Sequence, residues 1–150
     1  MKKILIATTI ALAATAASAL ELGVNATRDY SGAENRNGGG ITLGQNYGKV
    51  SLTAGFDRFT KGTNDQDRYS LVAGYDVAKV GFVTVTPKVG VAYLNNQFGS
   101  DGYAMTVGVG ATVPVTKQIG IGLDVARQYG QDRVQSSDGN TVTVGVKYSF

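Results

Sequence analysis

The sequence predicts an all-β fold of eight antiparallel strands in up-and-down order, and three observations carry the prediction. Segments of roughly ten residues alternate between apolar and small or polar side chains, as in TVTVGVKYSF at 141–150. The connections alternate in length, a long polar loop followed by a short turn. All eight tyrosines fall on the apolar parity and cluster at strand ends. Because a strand sends successive side chains to opposite faces, each segment has one apolar face and one polar face. In a soluble sheet an apolar face at the edge invites aggregation. Lipid outside and a polar lumen inside require this pattern. Two sets of aromatics bracketing an aliphatic band are what the two interfaces of a bilayer select. The expected fold is an eight-stranded antiparallel transmembrane up-and-down β-barrel.

Residues 1–19 are set apart. Met1-Lys2-Lys3 is basic, residues 4–16 are apolar and Ala-rich, and Ala17-Ser18-Ala19 is a small-x-small cleavage site. These are the three parts of a secretory signal peptide, too short for a good membrane span. The expected domains are a signal peptide at 1–19 and a barrel at 20–150. Removing Lys2 and Lys3 takes the 14 basic residues to 12 against 11 acidic, so the net charge falls from +3 to +1. With no basic cluster left, nucleic acid is not an expected partner. Cysteine is absent, so an exported chain must be stable without disulfides.

The first strand spans about 20–30, with Leu20, Leu22, Val24 and Ala26 out and Glu21, Gly23, Asn25 and Thr27 in. A polar loop is expected at 31–39. Strand two, about 40–47, carries Ile41, Leu43 and Tyr47, with Gln45 interrupting its apolar face. After a tight turn, strand three, about 49–59, sets Val50, Leu52, Ala54 and Phe56 against Ser51, Thr53, Gly55 and Asp57. Residues 60–67 read as the second polar loop. Strand four, about 68–77, turns near Ala78–Gly81 into strand five, about 82–94. Pro87 lies inside strand five and cannot donate to a ladder, so it must mark a bulge or a break. A loop at 95–101, strand six at about 102–113, a turn at 114–118, strand seven at about 119–130 and a loop at 131–140 precede the closing strand. Both ends of the barrel domain are expected on the side of the short turns.

Histidine and cysteine are missing, which removes imidazole acid–base chemistry, His- or Cys-based nucleophiles and most transition-metal sites. No enzyme activity and no cofactor are expected. Gly38-Gly39-Gly40 lacks the Lys-Ser/Thr of a phosphate loop. Asn64, Asp65 and Asp67 lack the spacing of a calcium loop and read as solvated. The inner parity carries Glu21, Asp57, Arg68, Lys88, Asp124 and Lys147. Charges inside a narrow barrel must be paired or hydrated, so these six are expected to form a polar network filling the lumen. Arg28, Arg58 and Arg127 interrupt the apolar parity near the long-loop ends. Arginine costs little at that depth and binds phosphate bidentately, which makes them candidates for contact with lipid phosphates at headgroup depth.

With its signal site, its eight alternating strands and its terminal Lys147-Tyr148-Ser149-Phe150, the chain resembles the small OmpA/OmpX-like eight-stranded barrels of the Gram-negative outer membrane. The resemblance implies outer-membrane residence, with lipid as surroundings and lipopolysaccharide phosphates as what Arg28, Arg58 and Arg127 would meet. The sequence offers no oligomer-forming face, so a monomer is expected. Tyr148 and Phe150 are similar to the terminal signal read by the outer-membrane assembly machinery. The function expected is a structural, membrane-stabilising or surface-contact role. The alternative is a narrow passive porin-like channel for ions or small solutes.

Overall fold

A computed structural model of the chain describes residues 19–31, 34–61, 64–96, 101–131 and 138–150. The stretch expected to be a signal peptide, 1–19, lies outside the described residues apart from Ala19, and so do positions 32–33, 62–63, 97–100 and 132–137. The strands are β1 (Leu20–Ser31), β2 (Glu34–Tyr47), β3 (Val50–Lys61), β4 (Asn64–Tyr75), β5 (Ala78–Val80), β6 (Val83–Asn96), β7 (Gly102–Pro114), β8 (Ile119–Gly130) and β9 (Gly139–Ser149). Each is antiparallel to its neighbours, β1 pairs with β9, and β4 pairs with β6, which closes the sheet into a barrel. β5 is a three-residue continuation of β4 along β6, so eight strands form the wall.

The registers fix the geometry of closure. Successive Cα partners from Leu20 run through Gln45, Leu52, Ala73, Val89, Val107, Arg127 and Asn140 and return to β1 at Tyr30, ten residues further on. A stagger of ten over eight strands corresponds to a strand tilt of about 40° and a backbone radius of about 8 Å. Each residue then climbs about 2.5 Å along the axis, so ten residues cross a hydrocarbon core of about 25 Å.

The outer face is as the alternation requires. Leu22, Val24, Ile41, Leu52, Leu71, Val91, Val107, Val125 and Val146 are exposed, and exposure and burial alternate residue by residue along β1 and β8. Gln45, the polar interruption, is buried to 4% exposure and accepts a hydrogen bond from the Tyr47 hydroxyl at 2.9 Å. Its polarity is thereby kept off the lipid.

Three expectations are corrected. The polar stretches 31–39 and 60–67 are mostly strand, since β1–β2 pairing continues to Ser31↔Glu34 and β3–β4 pairing to Lys61↔Asn64. Above the membrane both faces of a hairpin meet water, so the apolar alternation vanishes while the ladder continues. The closing strand begins at Gly139 rather than at 141. The turn expected near Ala78–Gly81 is the two-residue hairpin Gly81-Phe82, with β5 before it. Gly48 and Gly81 open the two tight hairpins with φ of 65° and 63°, the left-handed conformation glycine adopts without strain.

Pro87 sits at a bulge. Gly74 pairs with Lys88 and Ala78 with Val85, so three residues, 75–77, face two, 86–87. The extra residue falls where the ladder has no proline N–H to use. Toward β7, Pro87 stays in register with Val109.

Candidate functional site: the lumen and the outer girdle

The six inner charges form three pairs at three levels. Near the short-turn end, Lys147 Nζ lies 3.8 Å from Glu21 Oε2, and Glu21 Oε1 accepts from Asn46 Nδ2 at 2.8 Å and Ser149 Oγ at 3.3 Å. About 7 Å higher by register, Lys88 Nζ donates to Asp124 Oδ1. These two residues stand on β6 and β8, so their pair reaches across β7. It passes over Gly110, where a Cβ would come within 2.9 Å of Lys88 Nζ and would also meet Asp124 Oδ1. A side chain at that position would displace the bridge. About 10 Å higher again, Arg68 Nη2 and Nε both donate to Asp57 Oδ2, at 2.9 and 3.1 Å.

The pairs differ in their access to water. Side-chain exposure is 27% and 19% for Lys147 and Glu21, and 22% and 30% for Lys88 and Asp124, but 11% and 4% for Arg68 and Asp57. Between the lower two levels lies a cavity of about 40 Å³, bordered by Gly23, Asn25, Thr42, Gly122, Asp124, Thr143, Gly145 and Lys147. Two or three waters need roughly that volume. Asn25 Oδ1, buried at its margin, has no hydrogen-bond partner among the described residues.

The upper lumen is filled. Asp29 on β1, Phe59 on β3, Gln66 on β4, Leu94 on β6, Ala104 on β7 and Gln128 on β8 are each at most 2% exposed. The Arg68 guanidinium lies 4.8 Å above the Phe59 ring and so joins the upper ion pair to this layer. Gly38 and Gly40 on β2 make the room: a Cβ at Gly38 would fall 2.6 Å from the Phe59 ring, and one at Gly40 would fall 2.5 Å from Asp57 Oδ1. The glycine run of the sequence is therefore a packing surface. Phe59, Leu94, Gln66 and Asp29 were not among the sequence-derived candidates. Extending each strand's parity by two to four residues puts all four inside.

Outside, all eight tyrosines are on the lipid-facing parity. Phe56, Tyr69, Tyr93 and Tyr103 are successive register partners on β3, β4, β6 and β7, with ring centroids 5.1 Å apart for Phe56–Tyr69 and 5.3 Å for Tyr93–Tyr103. Tyr148 and Phe150 pack edge-to-face at 4.9 Å beside the closing seam. There the Phe150 amide donates to Leu20 O at 3.0 Å. By register Arg28, Arg58 and Arg127 stand within about 3 Å of one level, at the long-loop girdle. Arg58 is held by Asp65 at 3.4 Å and by Asp67 at 3.6 Å. Asp65 and Asp67, read as solvated loop residues, are thus β4 residues paired with Arg58.

A closed wall, an aliphatic band between two aromatic girdles and a polar interior define an integral transmembrane β-barrel of eight strands. No protein-family model and no curated protein sequence matches the chain. Solved structures do. Neisserial surface protein A superposes with a TM-score of 0.68 at 13% identity, over 88% of this chain and 96% of that one. Ail, the attachment invasion locus protein of Yersinia pestis, gives 0.56 at 15% identity over 89% and 97%, and the E. coli outer membrane protein W gives 0.56 at 14% identity over 91% and 100%. At these identities the likeness is one of fold.

Proposed function

We infer that the protein is a sealed, non-catalytic barrel whose role is structural: it stabilises the membrane it spans and presents its hairpins for contact at the surface. The observation that carries this reading is the buried upper layer, in which six of the eight wall strands place a side chain at most 2% exposed across the lumen. An ion path cannot cross residues that water does not reach. The absence of histidine and cysteine from the whole sequence supports the non-catalytic part. The competing reading, a narrow channel, draws on the hydrated lower pairs. Planar-bilayer recordings separate the two. The sealed barrel gives no steady conductance, whereas reproducible conductance altered by Lys88→Ala or Asp124→Ala would establish the channel.

Tyr148 and Phe150 are proposed as the signal for the assembly machinery, and their packing beside the seam supports a second, structural contribution. Deleting Phe150 is expected to lower the heat-modifiable, membrane-inserted fraction in cells while leaving refolding into detergent nearly intact. A loss that is equal in both settings would assign the residue to stability alone.

A further inference from the structure

We propose that the seam formed by β8, β9 and β1 carries a binding site for a glycolipid headgroup bearing two phosphates, with Arg28 and Arg127 as its two phosphate ligands and Arg58 outside it. Barrel closure brings these arginines together from opposite ends of the chain. Arg127 is the register partner of Asn140, and Asn140 is the register partner of Tyr30, two residues along β1 from Arg28. Two strand spacings and two residue rises put the Cα atoms about 12 Å apart. Two phosphates on one disaccharide headgroup span a comparable distance. Each arginine is seated alike: the guanidinium carbon of Arg28 lies 5.3 Å from the Tyr30 ring centroid, and that of Arg127 lies 5.6 Å from the Tyr129 ring centroid. Stacking on an aromatic face leaves the N–H fork free to bind an oxyanion bidentately.

Asn140 is exposed on the outer face between the two arginines and adds a neutral donor and acceptor. Among the described residues neither Arg28 nor Arg127 has a carboxylate partner, whereas Arg58, a quarter of the way round the barrel, is committed to Asp65 and Asp67. Charge complementarity therefore separates arginines that stand at one depth. An unpaired guanidinium at the girdle is matched by an anionic headgroup, and two of them at this spacing by a doubly phosphorylated one.

The test uses the 20–150 protein refolded in detergent micelles, with thermal unfolding and binding followed as lipid is added. The probes are a bisphosphorylated diglucosamine glycolipid, the same glycolipid without phosphates, and phosphatidylglycerol. The bisphosphorylated probe is expected to raise the melting temperature, and the other two to raise it little. Arg28→Gln and Arg127→Gln should each weaken binding about tenfold, the loss of one bidentate charged contact, while Arg58→Gln binds as wild type. Arg28→Lys and Arg127→Lys, which keep the charge, guard against loss through misfolding and should recover only part of the affinity. Equal loss in Arg58→Gln would show a general belt of charge and overturn the site. An equal shift with the phosphate-free glycolipid or with phosphatidylglycerol would overturn the two-phosphate assignment.

Discussion

The two halves of the lumen solve one problem in opposite ways. Both must place charge inside a wall of about 8 Å radius. The lower half does it with space: glycines 23, 122 and 145 line a cavity of about 40 Å³, and its ion pairs keep roughly a fifth to a third of their side-chain surface. The upper half does it with contact: Asp57 and Arg68 are packed under Phe59, and glycines 38 and 40 fit against that packing. A hydrated pair is worth little, because water solvates either partner alone. A dry pair is held by its mutual dependence, because removing one partner strands the other in low dielectric. Equal-looking inner charges in the sequence thus have unequal energetic roles.

The largest expected effect tests that inequality. Arg68→Met leaves Asp57 buried beneath Phe59 without its donor, and should destabilise the barrel by about 3–5 kcal/mol. Lys147→Met leaves Glu21 with Asn46 and Ser149 as donors and with water nearby, and should cost less than about 1 kcal/mol. Urea titrations of both variants in the same detergent measure the difference. Similar costs would mean that the lower lumen is as dry as the upper, and the contrast between the halves would fail.

What was legible in the sequence follows from what a single strand encodes. The inner or outer placement of each side chain is local, because a pleat alternates regardless of its neighbours, so Glu21, Asp124 and Tyr148 can be assigned to a face from the sequence. Pro87 was legible as a defect because a missing N–H is a local property too. Register is not local. That Lys88 reaches Asp124 across Gly110, or that Arg127 stands beside Arg28 over Asn140, depends in each case on the registers of two successive strand pairings. The hairpin extensions were missed for a different reason: above the bilayer neither face is selected for apolarity, so Asn35, Arg36 and Asn37 look like loop while they continue β2. Asp29, Gln66 and Phe59 fell in or beside those stretches, which hid the upper layer.

The smaller prediction sharpens the comparison with one substitution made in each half. In the upper half, Gly40→Ala sets a Cβ against the Phe56 carbonyl and 2.9 Å from the Asp57 Cα. Backbone cannot swing aside as a flexible side chain can, so strand β3 must shift. The expected cost is about 1–3 kcal/mol, as for other overpacked cores. In the lower half, Gly122→Ala sets a Cβ no nearer than 3.9 Å to Ala111 O and Thr112 Oγ1, at the edge of the cavity. That is ordinary van der Waals contact, and the φ of Gly122 lies outside the left-handed region, so alanine fits without strain. Alanine also restricts the unfolded chain more than glycine does, an effect of about 0.4–1 kcal/mol in favour of the folded state. The same chemical change is therefore expected to destabilise at position 40 and to be neutral or slightly stabilising at position 122. Equilibrium unfolding midpoints at unchanged denaturant slope decide it, and a loss at 122 comparable to that at 40 would show that the lower lumen has no room to spare.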